Sequence, residues 1–128
     1  MTYFADLSPY TYLAEVEEPA LNVGWLDAGH DFTRGPVPDE FVAALAERVV
    51  GKQVHLTRGW HRCNLGGCAH PDRPVARSGG AEQVLGFAEV RAIGTDKTAY
   101  AAPTLVHHYV VEHGYRPPDE FIAAIRGR

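Results

Sequence analysis

The chain has 128 residues, 45% of them hydrophobic and 22% charged, the composition of an ordinary globular protein rather than a disordered one, and of a length that fits a single domain over residues 1–128. No apolar run approaches the roughly 20 residues that span a bilayer. The net charge of −4 divides into −7 over residues 1–50, +3 over 51–91 and zero over the remainder. This balance argues against general nucleic-acid binding, because phosphate backbones would repel the chain as a whole.

Met1-Thr2-Tyr3-Phe4-Ala5-Asp6 lacks the basic and long apolar regions of a secretion signal, so a cytoplasmic location is expected. Asp6 and Ser8, before Pro9, suit a side-chain-capped turn. From Tyr10 to Val16 apolar and polar residues alternate with the period of a half-buried strand, and Leu21–Leu26 reads as a second strand. A polar loop, Asp27 to Gly35, follows. Pro38 then opens a helix through about Val50, with Phe41, Leu45 and Val49 on one face and Gly51 at its C-terminal cap.

Gln53–Thr57 is predicted as a short strand leading into the cysteine loop. Beyond that loop, strands are predicted over Pro74–Arg77 and Gln83–Ile93, around the Ser78-Gly79-Gly80 turn. A turn at Gly94–Lys97 precedes a strand over Thr98–Ala101. Pro103 suits the first turn of a helix that stops at Gly114, and a last helix ends near Arg126. Pro38-Asp39-Glu40-Phe41 recurs as Pro118-Asp119-Glu120-Phe121. Proline pre-sets φ and carboxylates favour the positive end of the helix dipole, so the echo reads as two helix starts chosen by the same physics. Hairpins, about three helices and no regular βαβ alternation give an α+β class.

The chemistry concentrates in His61-Arg62-Cys63-Asn64-Leu65-Gly66-Gly67-Cys68-Ala69-His70, which holds both cysteines. Thiolate sulfur and imidazole nitrogen are the preferred ligands of tetrahedral zinc, and Gly66 and Gly67 let the loop turn tightly. Cys63, Cys68, His61 and His70 are therefore the candidate ligands, with His108 or His113 as a more distant third or fourth. His108 and His113 are five residues apart and align poorly on a helix; His108 and Glu112 share a face. Asp27, His30 and Asp31 lie in a loop where acid–base groups often collect. His55 is expected at the surface, and the basic side chains around the cysteine loop are expected to find their counter-charges on the acidic half. There is no H-E-x-x-H, P-loop, dinucleotide or EF-hand pattern.

Three readings follow: a cytoplasmic zinc-binding module that engages a protein or small-molecule partner; an enzyme with an open zinc position; and a Cys63/Cys68 redox pair. Several segments, among them Tyr3 to Tyr10, Asn22 to His30, Thr57 to Cys63, and His108 through Phe121, resemble an uncharacterised family of small bacterial proteins common in actinomycetes. That resemblance spans most of the chain. It implies a whole-domain relation and transfers no activity.

Overall fold

A computed structural model describes residues 3–10, 19–53, 61–68, 72 and 74–127. Five strands and three helices occur among them: β1 (Leu21–Asn22), α1 (Asp39–Gly51), β2 (Val75–Ser78), β3 (Ala81–Val84), β4 (Glu89–Ile93), β5 (Ala99–Pro103), α2 (Val106–His113) and α3 (Asp119–Arg126). One sheet has the order β1-β5-β4, with β1 parallel to β5 and β4 antiparallel to it; β2 and β3 form a separate antiparallel hairpin. The class is α+β, as expected. No described helix is long and apolar enough to cross a membrane.

The two Pro-Asp-Glu-Phe starts behave alike. Pro38 and Pro118 each end the preceding extended segment, and each carbonyl accepts from the amides three and four residues on. The two phenylalanines then meet edge to face, Phe41 and Phe121 at 6.2 Å, and Phe121 makes the same contact with Tyr100 of β5 at 6.1 Å. All three rings are buried. The repeated sequence thus joins α1 and α3 to each other and α3 to the sheet. Arg126 of α3 also reaches back to Glu40 of α1 at 2.8 Å.

Several predicted boundaries move. The strand expected over Leu21–Leu26 is two residues long, because Gly24 adopts φ +78° and turns the chain out of the extended region. The strand expected over Gln83–Ile93 is two strands in different sheets, separated at Gly86, whose φ of +108° breaks the ladder. Pro103 does not start a helix. It ends β5, opposite Glu89, where its missing N–H costs no interior ladder bond, and α2 begins three residues later. α1 runs through Gly51 and caps at Lys52. The alternating segment expected as a strand lies mostly in 11–18, and the one leading to the cysteine loop mostly in 54–60, both outside the described residues.

Near the N-terminus, Ser8 makes the expected turn bond to the Ala5 carbonyl, whereas Asp6 spans the fold. Its carboxylate accepts from the Gly24 amide at 3.0 Å and the buried Tyr115 hydroxyl at 2.8 Å. Among the described residues Arg62 pairs with Asp72, Arg77 with Glu82 and Arg91 with Glu89, within the basic middle, while Lys52 pairs with Glu47 of the acidic half. The first two pairs are exposed and are worth no more than about 1 kcal/mol each.

Gly24 provides a sharp test of the packing. A Cβ there would fall 2.6 Å from Val106 Cγ2, whereas Gly29, also at positive φ (+86°), has open space around it. Gly29→Ala should therefore cost about 1 kcal/mol in conformational strain alone, and Gly24→Ala about 2–4 kcal/mol, since overpacking is added. Urea unfolding of the two variants beside the parent gives the comparison; equal losses would show that α2 does not press on Gly24.

Candidate metal centre

The cysteine loop is built onto α2 through a short chain of hydrogen bonds. The His61 amide donates to the Gly86 carbonyl at 2.9 Å, and the Gly86 amide donates to Thr104 Oγ1 at 3.0 Å, just before α2 begins. Leu65 turns into the core, and Gly67 takes φ +75° at the tip. Asn64 Nδ2 donates to Asp27 Oδ1 at 3.2 Å, tying the loop to the segment after β1. These contacts set Cys63 and Cys68 against one side of α2.

That helix is held by Leu105, Val106, Tyr109 and Val110, all buried. Gly114 ends it in the left-handed conformation with its amide bonded to the Tyr109 carbonyl. His108 is 4% exposed, and His113 occupies the last helical position, half-buried. About 140° of helical rotation separates the two, which is why they were expected to align poorly. Their rings nevertheless meet at 5.1 Å between centroids.

Cys63, Cys68, His108 and His113 each present a ligand atom, and the four atoms lie within 4.8 Å of one another. Cys63 Sγ is 3.3 Å from His113 Nε2, and Cys68 Sγ is 3.2 Å from His108 Nε2. A tetrahedral zinc with metal–sulfur bonds of about 2.3 Å and metal–nitrogen bonds of about 2.0–2.1 Å has sulfur–nitrogen edges of about 3.6 Å. The two cross-pairs need to open by only a few tenths of an ångström. The cluster is a Cys2His2 set able to hold a metal ion.

Burial acts on the two kinds of donor differently, disfavouring the Cys63 thiolate and favouring a neutral His113. Burial pushes the Cys63 thiol up to about 11, with the neighbouring Cys68 adding to the shift. A thiolate there requires a compensating cation, and a metal ion supplies one. A redox cysteine needs the opposite shift. Burial holds His113 below the usual histidine value, an effect Arg34 reinforces and Glu112 partly offsets, which favours the neutral, ligating imidazole.

The remaining candidates among the described residues stand apart from the four donors. His61 contributes its backbone amide as an anchor and stands outside the four-donor set. His70 and His55 fall outside the described residues. His30 is exposed and stacks on Tyr3, centroids 3.8 Å apart. Asp31 lines a separate cavity of about 190 Å³ with Tyr3, Phe4, Asp6, Leu26, Phe32 and Thr33. Glu112 is exposed on the helix that carries the histidines. His113 is the ligand that helical-face reasoning undervalued. Its signal was present in the spacing: Cys63-x4-Cys68 is matched by His108-x4-His113, within the ranges usual for paired cysteine and histidine ligands.

No curated protein and no solved structure matches the chain. A family model described as a domain of unknown function, DUF7919, matches residues 2–126, nearly the whole sequence. The chain, with its Cys2His2 cluster, belongs to the DUF7919 family.

Proposed function

We propose that the protein is a small zinc-binding module of the reducing bacterial cytoplasm, in which Cys63, Cys68, His108 and His113 hold one structural Zn²⁺ and the surface so ordered engages a protein or small-molecule partner. The observation that carries this reading is the convergence of two sulfurs and two ring nitrogens within 4.8 Å, from a loop and a helix far apart in sequence. Two thiolates and two neutral imidazoles favour zinc over the oxygen-seeking cations.

Four protein donors fill a tetrahedral sphere, whereas a catalytic zinc keeps one position for water. The side chains considered for proton transfer add nothing to the enzymatic reading: His30 is stacked and exposed, and Asp27 Oδ1 accepts from Asn64 and from the Ala28 amide. The structural role is therefore the reading favoured here.

Protein purified without added metal should carry one equivalent of zinc, and Co²⁺ in its place should give the intense visible bands of a tetrahedral site. Cys63→Ser and His113→Ala should each lose the metal, and removal by chelator should lower stability by about 3–4 kcal/mol at saturating zinc. A metal-free preparation that neither binds Zn²⁺ nor changes its unfolding midpoint on titration would overturn the proposal.

Thiol labelling gives an independent check. In the metal-free protein the half-buried Cys68 should alkylate before the buried Cys63, and zinc should protect both. Mass spectrometry of timed samples reads the order; equal, zinc-insensitive rates would count against the site.

A further inference from the structure

The cavity of about 190 Å³ beside the N-terminal segment shares no residue with the four-donor cluster. The rings of Tyr3, Phe4 and Phe32 line it, together with the carboxylates of Asp6 and Asp31, and no basic side chain among the described residues does. Its walls are held from several directions. The Phe4 amide donates to the Trp25 carbonyl at 3.2 Å, and the Phe4 ring meets Trp25 edge to face at 5.6 Å. Tyr3 stacks on His30, and the Arg116 amide donates to the Thr33 carbonyl beside Phe32 at 2.8 Å. Asp6 accepts from the Gly24 amide and the Tyr115 hydroxyl. Both donors are neutral, so they orient this carboxylate without cancelling its charge. Asp31 is exposed and makes no ion pair among the described residues.

Two uncompensated negative charges at one cavity select a cation, and the aromatic walls decide which kind. A hard metal ion exchanges its water for about 6–8 oxygen ligands, which two carboxylates among rings do not supply. Ring faces instead attract organic cations, quaternary ammonium groups above all. Phe32 already holds a cation in this way, with the Arg34 guanidinium 4.5 Å from its centroid. The cavity is smaller than the roughly 300–1,000 Å³ of sites that enclose a drug-sized ligand, so it suits a small head group. We propose that this cavity binds a methylated ammonium group, its charge balanced by Asp6 and Asp31 and its methyl groups set against Tyr3, Phe4 and Phe32. The inference does not depend on the metal centre.

The test is NMR titration of the isotope-labelled protein with choline, beside dimethylbutanol, its uncharged carbon isostere. Choline should shift the amide resonances of residues 3–6 and 31–33. The alcohol should bind at least about 10-fold more weakly, since it forfeits both the cation–π and the ionic attraction. Asp31→Asn should weaken choline binding about 2–5-fold, and Tyr3→Leu about 2–30-fold. Asp31→Lys sets a cation at an exposed position of the cavity, away from the core, and should abolish binding while the fold stays intact. A peptide carrying trimethyllysine, titrated beside its unmethylated form, separates two sources of the same chemistry. Binding tighter than that of choline assigns a modified protein side chain, and weaker binding assigns a free small molecule. Unperturbed resonances with both choline and the methylated peptide, equal binding of the alcohol, or full binding by Asp31→Lys would overturn the proposal.

Discussion

The cysteine loop meets α2 at two sulfur–nitrogen contacts. Within residues 61–68 only Cys63 and Leu65 are buried, so the loop brings little apolar surface of its own to the core. One backbone bond at His61 and one side-chain bond at Asn64 fix its two sides. Between them the loop meets α2 through Cys63 against His113 and Cys68 against His108. A segment with so few hydrophobic contacts is ordinarily among the first to open. A metal ion held by the four donors would replace these two weak contacts with four coordinate bonds.

The rest of the fold is arranged so that α2 is the rigid partner in that contact. Tyr115 closes the helix end from beneath: its amide bonds to the Tyr109 carbonyl, its hydroxyl to Asp6, and its ring meets Phe32 edge to face. At the other end Val106 lies against Gly24, where no larger residue fits. Asp6 accepts from both Gly24 and Tyr115, so one carboxylate near the N-terminus ties together the two positions that locate α2. Both oxygens of this half-buried carboxylate are satisfied, which makes its charge-assisted bonds strong. The histidines therefore sit on a helix fixed at both ends, and the cysteines on a loop that must come to them.

What the sequence made legible was what depends on local chemistry. Pro-Asp-Glu starts and the 3.6-residue spacing of Phe41, Leu45 and Val49 specify α1, and the same start specifies α3. The turn at Gly94–Lys97 and the end of α2 at Gly114 likewise follow from residue type. Gly24 and Gly86 were harder, because a glycine within an apolar run looks like a tolerated strand residue until a close approach or a tertiary bond demands positive φ. At the metal centre both cysteines and His108 were recognisable. His61 was attractive through proximity in sequence, but a backbone role for it cannot be read from its side chain; His70 lies outside the described residues. His113 was discounted by the angular rule for helical faces, which compares Cα directions and omits how far two imidazole side chains can reach toward each other.

The sequence separation of the ligands bears on when the site forms. Cys63 and His113 are 50 residues apart, and Cys68 and His108 are 40. Between loop and helix lie the β2–β3 hairpin, β4 and β5, so the donors converge only through the tertiary fold of these elements. Holding the ends of a 40-residue loop together is worth about 4 kcal/mol on the chain-entropy account of a covalent cross-link. A metal ion gives a comparable constraint reversibly, because it binds the folded arrangement and only weakly the separated ligands. This differs from a short zinc finger, whose closely spaced ligands can gather the ion before the chain has folded. Here the donors come from segments 40 and 50 residues apart, so an ion held by all four would tie a loop to a helix across the intervening strands.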